Sequence, residues 1–123
     1  PRALEKLNAI IHPNLLKILK SEIKRAKIKK KYSLIVVDAA LIYEWCIEDW
    51  FDRILVITSI RGTRIKRLID SGLTRKEAVS RIGSQIPQRK KAAMADYVII
   101  NDGGRSQLKR KIKRFLKSLE NGE

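Results

Sequence analysis

Arg61, Arg64 and Arg67 stand three residues apart in Arg61-Gly-Thr-Arg64-Ile-Lys-Arg67-Leu, a spacing that puts the three side chains on roughly one face of a helix. A guanidinium keeps its charge at any physiological pH and donates in a planar fork. Transfer of a phosphoryl group needs positive charge around its equatorial oxygens, so this face suits an arginine-bearing lid over a nucleotide. For Arg61 and Arg64 a solvated basic face is the competing reading. Two further stretches follow, Gly72-Leu-Thr-Arg-Lys-Glu-Ala78 and Arg81-Ile-Gly-Ser-Gln85, and then an apolar run and loop, Ala95-Asp-Tyr-Val-Ile-Ile-Asn101-Asp-Gly-Gly104. No glycine-rich loop ending in Gly-Lys-Ser or Gly-Lys-Thr occurs in these 123 residues.

Positioning these groups requires a folded scaffold, and the composition permits one. With 44% hydrophobic and 33% charged residues over 123 positions, the chain has the makings of one compact domain with a modest core. Twenty-eight Lys and Arg against 13 Asp and Glu give a net charge of +15, which predicts attraction to phosphates, whether of nucleic acid or of small ligands. Cys46 is the only cysteine and His12 the only histidine, so neither an internal disulfide nor a structural zinc cluster is expected. The longest nearly apolar run, residues 34–43, contains Asp38 and is about half of what a membrane span needs. With no signal-peptide pattern either, the expectation is a cytoplasmic protein with no membrane association. The sequence opens on Pro1 without a methionine, which suggests processing, an artificial boundary or a lost N-terminal portion.

Leu4, Leu7, Ile10 and Ile11 form a helical stripe that His12-Pro13 is expected to interrupt, with the proline in the first turn of a second helix carrying Leu15, Leu16, Ile18, Leu19 and Ile23. Its other face is Lys17, Lys20, Lys24, Arg25 and Lys27, continuing into Lys29, Lys30 and Lys31. Residues 33–38 (Ser-Leu-Ile-Val-Val-Asp), 53–58 (Arg-Ile-Leu-Val-Ile-Thr) and 97–100 are short β-branched runs without polar alternation, as expected of strands buried on both faces of a parallel sheet. Gly72 fits a helix C-cap, Thr74 with Glu77 makes a capping box, and Pro87 ends or interrupts the helix that follows. Residues 106–119 form an amphipathic closing helix, with Leu108, Ile112, Phe115, Leu116 and Leu119 on one face. The fold class is therefore α/β, with three parallel strands, helices on both faces and a helical lid.

In order and spacing these pieces resemble dephospho-CoA kinase, a P-loop kinase family that phosphorylates the ribose 3′-hydroxyl of dephospho-CoA. The resemblance runs from Leu7-Asn-Ala-Ile-Ile-His-Pro13 through Val37-Asp-Ala-Ala-Leu-Ile-Tyr-Glu44 to the lid and Asp96-Tyr-Val-Ile-Ile-Asn101. It implies ATP and Mg2+ as cofactors and dephospho-CoA as the acceptor. It also divides one structural domain into a helical acceptor-side region (residues 1–32), an α/β core (33–60 and 96–123) and a lid (61–95). The family's third-strand pattern reads Asp, apolar, Pro, Leu, Leu, aromatic, Glu. This chain keeps Asp38, Leu41, Tyr43 and Glu44 but has Ala40 at the proline position.

By this resemblance Asp38 sits at the carboxyl edge of the sheet, where ligands of open α/β folds collect, and holds magnesium through water or else caps a turn. Arg67 matches the arginine that reaches the ATP phosphates, with Arg64 beside it. Asn101 and Gly103 match the loop bordering the adenine: asparagine offers a donor and an acceptor to a base edge, and glycine lets backbone come close. His12, Leu41, Tyr43 and Glu44 fall on the acceptor side. The segment Leu68-Ile-Asp-Ser-Gly72 is one residue shorter than usual and lacks the family's second lid arginine, for which Arg75 or Arg81 is the candidate substitute.

The family's P-loop and its catalytic aspartate precede the part represented here, and no residue of this chain is assigned to either. The expected partner is therefore the missing N-terminal P-loop segment, whose strand lies between those at 34–38 and 53–58; the chain alone is expected to be inactive. Two other readings remain. The charge and the basic helix faces suit a nucleic-acid-binding module or non-specific polyanion binding, although no aromatics interleave the basic runs as a stacking platform requires. A non-catalytic kinase-like scaffold would use Trp45, Trp50 and Phe51 as its anchor cluster.

Overall fold

A computed structural model describes residues 2–122, which fall into two compact units divided between Ala39 and Ala40. The first holds helix α1, Arg2–Ile28, and an irregular segment after it. The second runs through a single turn of 3-10 helix at Glu48–Trp50, strand β1 (Leu55–Thr58), helices α2 (Arg61–Asp70), α3 (Arg75–Gly83) and α4 (Gln88–Met94), strand β2 (Tyr97–Ile100) and helix α5 (Arg105–Glu120).

Two expectations about the first unit are corrected. Pro13 lies inside α1 rather than between two helices, and the helix is continuous for 27 residues. A proline removes one helical donor and crowds the preceding turn, but the stripes on either side share one helical phase. Asn14 Nδ2 donates to the carbonyl of Ile10 at 3.4 Å, setting a side-chain donor beside the gap. The second correction is to the sheet: residues 33–38 are irregular and join no ladder, so the described residues form two strands and not three. Strand propensity expresses packing against neighbouring strands more than any preference of the backbone. Here the run has no neighbour, and Val36 is 75% exposed.

In the second unit β1 and β2 pair in parallel, in register from Leu55 with Tyr97 to Thr58 with Ile100. Ile54 N donates to Asp96 Oδ2 at 2.7 Å and the carbonyl of Ile54 accepts from the amides of Asp96 and Tyr97, which closes the amino end of the pair. The carboxyl end is closed by Asn101 N donating to the carbonyl of Thr58 at 2.7 Å. The small core consists of Tyr43, Ile47, Ile54, Ile65, Ala78 and Ile99.

The helix boundaries follow local chemistry. At the end of α2, Leu73 N donates to the carbonyl of Leu68 and Gly72 N to that of Ile69, the paired bonds of a Schellman ending. They require the left-handed backbone that Gly72 adopts at φ 107°. Thr74 Oγ1 accepts from Glu77 N at 3.2 Å while Glu77 Oε2 accepts from Thr74 N at 2.7 Å, the expected capping box at the start of α3. Pro87 serves as the N-cap residue of α4, so the helix before it stops at Gly83 and a short linker intervenes.

Candidate functional site: an arginine cleft at the carboxyl ends of the strands

The carboxyl ends of β1 and β2 open on a cleft of about 960 Å³, walled by the first turns of α2 on one side and by the linker from α3 to α4 on the other. Ligands of parallel α/β folds collect at such strand ends. Arg61, Arg64, Arg67, Arg81 and Arg89 all line it. Their charge faces little opposition: the lining carboxylate is Asp102, whose Oδ1 accepts from Ile60 N at 2.9 Å and so ties the loop after β2 to the start of α2.

Each arginine is placed differently. Arg67 Nη1 donates to the carbonyl of Asn101 at 2.7 Å, which fixes the guanidinium at the end of β2. Arg64 is half-buried, and its Nε is shut off from solvent with no hydrogen-bond partner among the described residues. A buried donor left unpaired costs free energy, and a donor on a cation, beside other cations, is suited to an anionic acceptor. Arg61, Arg81 and Arg89 are exposed around the rim. Of the two proposed substitutes for the second lid arginine, Arg81 lines the cleft, whereas Arg75 opens α3.

Arg61, Arg64, Arg67 and Asn101 thus come together, and Gly103 follows one residue beyond the cleft-lining Asp102. The side chain of Gln107 folds over the open face of Gly103, where a Cβ would meet it. His12 and Asp38 belong to the first unit, His12 half-buried within α1 and Asp38 exposed on the irregular segment after it. No group of three or more potential metal ligands occurs among the described residues. A magnesium site shared with substrate phosphates commonly takes one or two carboxylates and water, so Asp38 fits one contact to such an ion but not a resident site of this chain.

Leu41, Tyr43 and Glu44 lie in one turn of the second unit. Tyr43 is buried, and its hydroxyl has no hydrogen-bond partner among the described residues. Burial first, and then the carboxylates of Asp96 and Glu48, hold the phenol above its ordinary pKa. Glu44 is paired with Lys91, Oε2 to Nζ at 2.9 Å, and the same oxygen accepts from Ile86 N at 3.2 Å. Nothing in the sequence marks Lys91, because a single lysine in a basic helix carries no signal of burial and its partner lies 47 positions away.

Comparison with known proteins places this geometry in a family. The dephospho-CoA kinase family profile matches residues 1–107. The dephospho-CoA kinase of Chlorobaculum tepidum is 34% identical over 119 residues, which are 97% of this chain and 57% of that protein. That of Lactobacillus acidophilus is 37% identical, over 94% of this chain and 58% of its own length. A crystal structure of a Thermus thermophilus protein superposes with a TM-score of 0.75 at 28% identity, covering 97% of this chain and 61% of that one. The chain therefore spans a little over half the length of the curated relatives it matches. With the profile running from α1 into the first turn of α5, this chain belongs to the dephospho-CoA kinase family.

Proposed function

We propose that this chain supplies the lid and nucleotide edge of an enzyme that transfers the γ-phosphoryl group of ATP to the ribose 3′-hydroxyl of dephospho-CoA, giving coenzyme A and ADP. In that reaction the hydroxyl oxygen bonds to the γ-phosphorus, the bond from that phosphorus to the β,γ-bridging oxygen breaks, and the hydroxyl proton leaves to a base. The observation that carries the reading is the unpartnered, buried Arg64 Nε inside a cleft lined by five arginines at the carboxyl ends of parallel strands.

Charge develops on the transferring group in a site partly shielded from water, where fixed donors act most strongly. Arg67, held by the Asn101 carbonyl, and Arg64 donate to the phosphates. Arg81 takes the place of the second lid arginine. Asn101 and Gly103 border the base. On the acceptor side, Leu41, Tyr43 and Glu44 act through the shape of their turn, because Tyr43 is buried and Glu44 is already paired. His12, on α1, is the further acceptor-side residue that the family resemblance implies. Asp38 would be the residue of this chain to hold magnesium, through water, and the ion would supply positive charge to the nucleotide phosphates.

Neither a Gly-Lys-Ser/Thr phosphate loop nor an assignable base occurs in the 123 residues, so the chain by itself is expected to show no turnover. Mixing it with the N-terminal part of the Chlorobaculum tepidum relative should restore ATP- and magnesium-dependent phosphorylation of dephospho-CoA. In that mixture Arg67→Ala should lower kcat by about two orders of magnitude. Turnover by these residues alone, or full activity with Arg67→Ala, would overturn the reading.

The net charge of +15 favours a second property, binding to polyanions. Such binding is electrostatic, blind to sequence and weakened by salt. If RNA occupies the arginine cleft, ATP displaces it at matched ionic strength. RNA that ATP leaves bound lies on the helix faces instead.

A further inference from the structure

Lys91 is the buried charged residue of the core, 8% exposed. Its ammonium carries three donors, and three acceptors surround it: Glu44 Oε2 at 2.9 Å, the Ala40 carbonyl at 3.0 Å and Gln85 Oε1 at 3.4 Å. Glu44 in turn accepts from Ile86 N. One ion pair thereby joins the turn at 40–46, the linker at 84–87 and helix α4. Gln85, Ile86, Pro87 and Gln88 form a wall of the arginine cleft, and Gln88 Oε1 accepts from Ser59 N at 3.3 Å just past the end of β1. The linker, stitched to the strand end through Gln88, is anchored from behind by the pair.

We propose that Glu44 and Lys91 are a positioning pair for the cleft: the bond between them fixes the α3–α4 linker, and with it the spacing of Arg81 and Arg89 from Arg64 and Arg67. This rests on the phosphate-binding reading given above. Neither residue touches the phosphate ligand. A buried pair of this kind gives little net stability relative to an apolar replacement of both partners, while removal of one partner strands the other charge. That asymmetry separates positioning from plain structural support.

The test uses the natural gene product with tripolyphosphate as probe, its affinity measured by calorimetry at fixed ionic strength and counted per folded molecule. Arg67→Ala is the control that identifies cleft binding. Glu44→Gln and Lys91→Met should each weaken tripolyphosphate binding about tenfold, since small misplacement of positioned groups is costly. The double variant Glu44→Leu/Lys91→Met should recover melting temperature relative to the single variants and still bind weakly, because Ile86 N loses its acceptor. Hydrogen exchange at the Ile86 and Ser59 amides should accelerate in Lys91→Met. Unchanged affinity per folded molecule in both single variants, or unchanged exchange at both amides, overturns the positioning role. If the wild-type protein fails to bind tripolyphosphate, the phosphate-binding reading falls, and the proposal with it; accelerated exchange at Ile86 in that case would leave the pair as an anchor of the linker only.

Discussion

Helices α1 and α5 are built from the same materials, with apolar stripes at helical spacing opposite dense rows of lysine and arginine, yet they end differently. In α5 the apolar stripe lies over β2: Phe115 packs on Tyr97 with ring centroids 4.9 Å apart, and Lys111 Nζ donates to the carbonyl of Ile100. Neither helix has a fully buried residue, but in α1 Ile10 and Ile18 are 68% and 60% exposed, against 38% for Leu116 in α5. An amphipathic pattern therefore specifies a helix and the face it offers, whereas burial depends on a second surface that the pattern does not name. Most helical stability in proteins comes from that second surface.

The largest expected effect follows directly. Ile99 in β2, the strand under α5, is 2% exposed. Truncation to alanine should cost about 3 kcal/mol in urea unfolding, the sum of lost transfer energy and a cavity. Ile18→Ala in α1 removes the same atoms and should stay within about 0.5 kcal/mol. Equal losses from the two substitutions would break the comparison by showing that the α1 stripe is packed in solution.

The same division decides what could be read in the sequence. The capping box of Thr74 and Glu77, the Gly72 ending and the closing helix were legible because each depends on residues within a few positions. So was the gathering of Arg61, Arg64, Arg67 and Asn101, since parallel strands deliver their carboxyl ends to one edge. Residues 33–38 have the letters of a buried strand but not the neighbours, and letters cannot supply an unpaired strand with a ladder. Pro13 signals a break through proline's preference for the first turn of a helix, while the stripe on both sides of it carries α1 through. Lys91 and Glu44 were opaque for the opposite reason, their pairing being visible only after the chain is folded.

Helix α3 sharpens the comparison from the other side, because its start is set by its own residues. Thr74→Ala removes the capping acceptor and should destabilise by about 1 kcal/mol. The Glu77 carboxylate is held below its ordinary pKa, first by the backbone N–H of Thr74 and then by its hydroxyl. A depressed folded pKa means that this contribution is present above the unfolded value and is lost as pH falls through the folded one. Wild-type stability should thus decline on acidification through the carboxylate range. The Thr74→Ala variant should decline less steeply over the same interval, and an identical slope in the two proteins would show that the box contributes nothing in solution.

The smallest effect is the one that α1 and α5 should share. Lys109, Lys113 and Lys117 stand four apart on α5, and Lys20 and Lys24 do so on α1; like charges at that spacing repel by a few tenths of a kcal/mol per pair. Both Lys113 and Lys24 are exposed, so replacing either by glutamate changes no packing. Lys113→Glu removes two repulsions and adds two attractions, and should slow hydrogen exchange across the middle of α5 by an amount equivalent to roughly 0.8 kcal/mol, taking each of these exposed contributions at the low end of its range. Lys24→Glu, with Lys20 as its one charged neighbour at that spacing, should do the same in α1 to about half that extent, because this interaction needs no tertiary partner. Both gains should fade as added salt shortens the screening length. A gain confined to α5 would mean that even the local electrostatics of these helices are set by what they pack against, and that α1 in solution is not the helix its sequence encodes.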